Sequence, residues 1–491
     1  MMLPLPHGPR RLPGAAVLFA LLALAGCAAT APPTRVDLPT PAGWQAPLPH
    51  QGRVEDIVRW WERLGDPLLT DLIAAAQDVS PDLAQARSRV EQARATQVAA
   101  RSALLPGVDA QGNASRGTSQ QAAGLATTVQ GVVQASWEVD VFGGNAAAAE
   151  AARQRLAGAQ ARWHEARVSV AAEVATQYDA WRQCLRLADV AQSDARSRSE
   201  SARLTEASER AGFTAPATLA LAQASGAEGR VRAEQQRMAC DIDLKGLVAL
   251  TGLPEPELRA RAAAAPAPQS LPDSLFAIDA LPARVLAQRP DVYAAEREVA
   301  AASADVGNAR AQRFPRLTLA GSVGRAWGST GGTSVATNTW SIGPVGVSLP
   351  IFDAGRRAAQ VDAAEARYQE AAQLYRANAR RAVSEVEQAL VRLASTAARS
   401  ADAERAAAGY RASFVATEAR WRGGLASLLE LEETRRTALN SETALISLRQ
   451  ERMAAWIGLY RAAGGGWEAP PPAAATASVP APAPAPASTA P

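Results

Sequence analysis

The sequence predicts an α+β chain in which a few two-faced strands, contributed to a β-barrel shared between copies, are continued by very long coiled helices. Three observations predict it. Residues 129–142, "VQGVVQASWEVDVF", place Gly131, Val133, Ala135, Trp137, Val139 and Val141 on one face and Gln130, Gln134, Ser136, Glu138 and Asp140 on the other, the period-2 pattern of a strand. Residues 146–210 hold no proline and one glycine, Gly158, a helical run that would reach roughly 100 Å at about 1.5 Å per residue. Finally, the chain repeats itself.

The repeat is visible as five ordered landmarks. "SPDLAQA" at Ser80 returns as "RPDVYAA" at Arg289, and "LLP" ending at Pro106 as "RFP" ending at Pro315. "WEVDVFGG" corresponds to "VSLPIFDAG", "RAGFTA" around Gly212 to "RGGLAS" around Gly424, and "LVALTG" ending at Gly252 to "LYRAAG" ending at Gly464. The offsets stay within 209 to 212 residues, so the chain is an internal twofold repeat.

At the N-terminus, Arg10 and Arg11 precede an apolar run at 15–25 that ends in "LAGC" at residues 24–27. The run is too short to span a bilayer and looks like a bacterial lipoprotein signal. That likeness makes residues 1–26 a signal peptide, Cys27 the lipidated first mature residue and Ala28 an outer-membrane sorting signal; the plainer alternative is an ordinary signal with a chance cysteine. Residues 27–59 then form a lipid-anchored extended segment.

The first repeat, 60–258, starts with an alanine-rich helix whose first turn carries Pro81. Strands come next at 108–115 and 129–142, then the helix of 146–210, a turn at Gly212, Phe213, Thr214 and Ala215, and a returning helix to Leu250. Apolar positions at three- and four-residue spacing (Val168, Ala172, Ala175, Tyr178, Leu185) call for a coiled partner. The stretch "LPEPELRARAAAAPAPQSLPDS" and the boundaries 259–280 mark an extended Pro/Ala linker. The second repeat, 281–467, has strands at 317–327 and 340–352, the latter weakened by Pro344 and Pro350. A helix over 356–422, a turn at Gly423, Gly424, Leu425, Ala426 and Ser427, and a helix to Leu459 complete it. Residues 468–491 form a Pro/Ala tail with nothing to bury.

Composition narrows the function. The net charge is +3 over 491 residues, with basic and acidic residues interleaved along the helices, which is no nucleic-acid footprint. Lys245 is the only lysine, and His50 and His164 are the only histidines beyond the signal. A phosphate-loop lysine, a histidine triad and a two-histidine metal motif are therefore poorly supplied, and no cofactor is expected. A lipid-anchored periplasmic enzyme would need convergent titratable groups; a structural coiled-coil lipoprotein would need no strands. Trp60 and Trp61 read as packing residues, and "AGGGW" at 463–467 as a glycine-rich helix end.

Four strands cannot close a membrane barrel, because open edges leave backbone groups unsatisfied in lipid. Two copies would give eight strands, a barrel filled by side chains, and three would give twelve, wide enough for a passage. Cys184 and Cys240 each lie 28 residues from Gly212. In an antiparallel pair folded at that glycine they share one height, either as a disulfide or as two unpaired thiols in the helix seam.

The segments "RWWERLGDPLLTDLI", "WEVDVFGG", "LPARVLAQRPDVYAAEREVAAASADVGNARAQRFPRLTLAGSVG", "SIGPVGVSLPIFDAGRR" and "LYRAAGGGW" resemble the TolC-like outer-membrane efflux proteins, specifically the NodT-type lipoprotein branch. Asn145, where an arginine is common after the FGG turn, and the long tail are departures. The resemblance implies a homotrimer with a twelve-stranded outer-membrane β-barrel, a periplasmic α-helical barrel, a periplasmic adaptor and an inner-membrane pump as partners, and drug or metal efflux ahead of type I protein secretion. It implies that the two turns are the tips that meet the adaptor. It also places Glu430 and Glu433, three apart and on one helix face, in a carboxylate ring at the periplasmic aperture. Glu432, on another face, would then be an indifferent control.

Overall fold

A computed structural model describes residues 30–48, 57–119, 122–264, 275–280 and 282–469. Cys27, the signal segment and residues 470–491 lie outside the described residues.

Proline and short polar side chains set the helix starts. In α1 (Pro67–Val79) the Asp66 carboxylate accepts the Leu68 N–H at 3.1 Å, and in α2 (Pro81–Ser102) the Ser80 hydroxyl accepts the Leu83 N–H at 3.3 Å, each satisfying a donor the helix leaves unpaired. The first half continues through β1 (Gly107–Ser119), β2 (Ala122–Val139), α3 (Gly144–Arg210), α4 (Pro216–Thr251) and α5 (Glu255–Ala264). The second runs through α6 (Pro282–Ala287), α7 (Pro290–Ala311), β3 (Arg316–Thr330), β4 (Thr333–Ser348), α8 (Arg356–Arg422) and α9 (Leu428–Ala462). α2 and α7 are both 22 residues long, α3 and α8 both 67.

The strands form one antiparallel sheet in the order β1-β2-β3-β4, so β2 of the first half pairs with β3 of the second. Residues directly opposite on neighbouring antiparallel strands share a face. One row across the sheet is Ala110, Val133, Val323 and Trp340; the next is Asp109, Gln134, Ser322 and Ser341. The sheet is thus apolar on one side and polar on the other, and Val133, Val323 and Trp340 are exposed.

Several boundaries differ from expectation; among them, β1 runs on to Ser119, β2 begins at Ala122 and β4 ends at Ser348. β2 stops at Val139 rather than Phe142, because the Asp140 carboxylate turns back to accept the N–H groups of Asn145 and Ala146, at 3.1 and 2.7 Å, at the start of α3. Asp353 does the same for Gly355 and Arg357 before α8. β4 begins at Thr333, not 340, and runs through Pro344, which is tolerated because β4 is an edge strand whose register shifts opposite Leu319 to Gly321. The expected linker is only partly one. Glu255 and Glu257 lie in the first turn of α5 and pair with Arg259 and Arg261 one turn on, at 2.8 and 2.5 Å, while Leu258, Leu275, Phe276 and Ile278 are buried in the core. Likewise a 3-10 helix, Ile57–Leu64, begins before residue 60.

The main core lies where both halves meet below the sheet-proximal helices. Trp60 and Trp61 pack on one another and on Tyr460, and Trp60 also meets Phe276; Val174, Leu244, Leu247, Leu390 and Trp456 fill the surrounding space. The extended residues 30–48 cross α7 and α8. The Tyr368 hydroxyl donates to the Pro33 carbonyl at 2.9 Å, the Ser303 hydroxyl to Pro32 at 2.5 Å, and the Glu387 carboxylate accepts the Gln45 and Ala46 N–H groups. Among the described residues no helix is long and apolar enough to cross a membrane.

Candidate functional site

At the far end of the long helices the two halves build the same reversal. Two residues beyond the end of α3 the chain turns at Gly212 (φ +79°), and two beyond the end of α8 at Gly424 (φ +74°), a left-handed conformation that glycine adopts without a Cβ clash. The Phe213 N–H reaches the Ser208 carbonyl at 2.9 Å, and the Leu425 N–H the Arg420 carbonyl at 2.8 Å. Both turns project an apolar side chain into solvent, Phe213 at 86% and Leu425 at 73% exposure. The two reversals differ in how the next helix starts. Thr214 bonds the Ser208 hydroxyl at 2.6 Å and Ala215 leads into Pro216, whereas Gly423, Gly424, Leu425 and Ala426 lead to Ser427, whose hydroxyl accepts the Glu430 N–H at 3.1 Å.

Glu430 and Glu433 lie in the first turns of α9. Glu430 is half-buried and paired with Arg420 across the turn at 2.9 Å; Glu433 is exposed and paired with Arg436 at 2.5 Å. Glu432 is not the indifferent neighbour the sequence suggests. It faces inward, where its carboxylate holds Arg198 at 2.7 Å and also pairs with Arg435.

These residues belong to a buried ionic seam between the two hairpins. Arg198 on α3 donates to Asp194 at 2.8 Å and to the Ser225 hydroxyl of α4 at 2.6 Å. Arg435 on α9, 2% exposed, donates to Ser197 and Ser201 at 3.0 Å and lies over the Phe414 ring. Burial pulls the Arg435 guanidinium below its usual range while Glu432 and Asp194 hold it up. α4 comes close at Gly229, where a Cβ would sit 2.9 Å from Arg198 Cδ and 3.2 Å from Ala195 Cα. Sequence reasoning missed this seam: Asp194 and Arg198 look like an ordinary solvated pair one turn apart, and their charged partners on α9, Glu432 and Arg435, are more than 230 residues away.

Cys184 on α3 and Cys240 on α4 are buried and joined by a disulfide, with 5.4 Å between their Cα atoms. One turn earlier on α3, a cavity of about 140 Å³ is walled by Trp60, Tyr178, Asp179, Arg182 and Met453. Burial pushes the Asp179 carboxyl up to about 6, against the opposing pull of Gln183 and Arg186. No group of three or more His, Cys, Asp or Glu side chains among the described residues could hold a metal ion.

A family model described as outer membrane efflux protein matches the chain twice, at residues 72–253 and 281–465. The chain belongs to the outer membrane efflux protein family. Across 92% of its length it is 31% identical to 97% of a pyoverdine export outer membrane protein, OpmQ, of Pseudomonas putida. It is 30% identical to the outer membrane protein OprJ of Pseudomonas aeruginosa, covering 93% of this chain and 96% of that one. It is 27% identical to the nodulation protein T of Rhizobium leguminosarum bv. trifolii, over 90% and 94%. Among solved structures, the outer-membrane channel OprN superposes with a TM-score of 0.75 at 26% identity, covering 89% of this chain and 99% of that one. The Campylobacter jejuni CmeC outer membrane channel gives 0.78 at 22% over 89% and 95%, a likeness of fold. This outer membrane efflux protein is therefore a bacterial outer-membrane channel protein.

Proposed function

We propose that this outer membrane efflux protein works as a homotrimeric exit duct of a tripartite efflux system. Three four-stranded sheets close a twelve-stranded barrel in the outer membrane, and the α3/α4 and α8/α9 hairpins, an internal twofold repeat, continue it as a coiled-coil barrel into the periplasm. One observation carries the reading: the sheet is two-faced and open, with β1 and β4 as its edges. Backbone groups on such edges are tolerated in lipid only when other strands pair them. Twelve strands leave a passage that eight would fill.

In this reading Phe213 and Leu425, with their flanking turns, dock a periplasmic adaptor, and an inner-membrane pump supplies the energy. The duct carries no catalytic residues and no cofactor. Relatives named for pyoverdine export and for toluene efflux match it over nearly the whole chain, which supports leaving cargo choice to the pump. Cys27 carries the acyl anchor, and Glu430 and Glu433 of three copies form a carboxylate ring at the periplasmic aperture.

The test is single-channel conductance of the detergent-extracted protein, together with its migration on gels before and after boiling. A heat-labile trimer that conducts is expected. A monomer that forms no pores would overturn the proposal.

A further inference from the structure

The two-faced sheet carries its charges unevenly. Its carboxylates, Asp109 and Glu138, stand on the polar face, as does Arg316. On the apolar face the charged residues are two arginines, Arg116 on β1 and Arg325 on β3. Both are exposed, and among the described residues neither has a carboxylate partner. An arginine there needs a reason, because a charge among lipid-facing side chains is expensive at mid-depth and tolerated only near the borders of the membrane.

The register puts both arginines at one border. The apolar row nearest the helices is Val139, Leu317 and Val347. Arg325 lies eight residues along β3 from Leu317, roughly 27 Å of strand at about 3.4 Å per residue. At a tilt of about 40° that is roughly 21 Å of height, against an apolar band about 25 Å tall. Trp340, 75% exposed, stands in the row before Arg325 and Trp327, 41% exposed, in the row after it, the aromatic setting of a membrane border. Asn338 faces Arg325 across the strands, and Arg116 shares its row with Thr127, Ser329 and Ser334. Gly112 and Gly131, in the row of Arg325, have open space where a Cβ would stand, so the surface beside that arginine is low and unobstructed.

Arg116 and Arg325 are two strands apart across the sheet and four residues apart along it, roughly 17 Å between backbones. That is too far to share one phosphate and within reach of two phosphates on one headgroup. We propose that this face binds the doubly phosphorylated sugar headgroup of an outer-leaflet glycolipid, with Arg116 on one phosphate, Arg325 on the other, and Thr127, Ser329 and Asn338 hydrogen-bonding the sugars between them. A planar guanidinium takes a phosphate through two parallel N–H donors, and the acyl chains then lie along the apolar rows of Val133, Val323 and Trp340. The proposal rests on the duct reading, which turns the apolar face to lipid and the hairpin ends, away from the helices, to the outer leaflet.

Native mass spectrometry of the detergent-extracted full-length protein tests it with three probes: lipid A carrying both phosphates, lipid A stripped of both, and phosphatidylglycerol. The doubly phosphorylated lipid should be retained about tenfold or more over the other two. Arg116→Gln combined with Arg325→Gln should remove that preference, and Arg316→Gln, on the polar face, should keep it. Equal retention of the doubly phosphorylated lipid and either of the others by the unaltered chain overturns the proposal, whether or not the variants fold. A double variant that keeps the preference overturns it too. Conductance of the same preparation separates this proposal from the duct reading. A chain that conducts without lipid preference sinks the lipid site alone, and one that prefers the doubly phosphorylated lipid without conducting sinks the duct alone.

Discussion

Arg198 and Glu432 are 234 residues apart in sequence and 2.7 Å apart in space, joining the helical hairpin of the first half to that of the second. Removing the carboxylate leaves two buried guanidiniums, Arg198 and Arg435, short of a counter-charge, a type of loss that costs about 3–5 kcal/mol. Glu432→Gln should therefore lower the thermal unfolding temperature, while Glu433→Gln, whose pair with Arg436 is exposed, should change the stability by no more than about 0.5 kcal/mol. Equal melting of the two variants would show that the seam adds no stability.

The proposed carboxylate ring of Glu430 and Glu433 makes an electrical prediction. Charges gathered around a pore axis attract cations and resist simultaneous ionisation. In planar bilayers, Glu430→Gln combined with Glu433→Gln should reduce cation selectivity and divalent block. Arg420 and Arg436 already pair with these groups, so a double variant indistinguishable from the parent would mean the arginines neutralise them and no ring exists.

The disulfide closes a separation of 56 residues, for which the chain-entropy view gives a stabilisation of about 4 kcal/mol. Cys184→Ser with Cys240→Ser should lower the denaturant midpoint while preserving the fold. Mass spectrometry of non-reduced peptides from freshly isolated outer membrane should find the pair linked; free thiols at both positions would refute the bond.

Asp179 predicts a pH dependence. Its folded-state pKa, about 6, is raised above the ordinary carboxyl value of 3.8. Between those values the folded chain holds a proton that the unfolded chain has lost, so stability falls as pH rises from about 4 to 6 and the loss persists above that range. Asp179→Asn should therefore raise stability at pH 7.5, by on the order of 3 kcal/mol, and make no difference near pH 4. A gain of equal size at both pH values would point to packing rather than charge.

The lipid anchor is tested on the intact precursor. Globomycin-type inhibition of signal processing should leave a heavier chain, and Cys27→Ser should abolish acylation. Unchanged mobility under inhibition would remove Cys27 as the anchor.

Much of the architecture was legible because it is periodic. The alternation at Gly131, Val133 and Ala135, the proline-free helices and the doubled glycine turns each carry a local signal that survives folding. The balance between Pro254, Pro256 and the Glu/Arg pairs of α5 was not legible, since proline suggests extension while Glu255 with Arg259 and Glu257 with Arg261 support a helix. The turns are legible and the seam is hidden. Gly212 and Gly424 announce their conformations, but nothing beside Arg435 tells that Ser197 and Ser201 will accept its protons.

The two outer strands of the sheet have a consequence for biogenesis. β1 and β4 run for 13 and 16 residues with one side unpaired among the described residues. In hydrocarbon each stranded backbone group would cost several kcal/mol, so a lone copy has no stable resting place in the bilayer. In the proposed shared barrel, membrane entry and subunit association are then one cooperative event, with no half-built pore along the way.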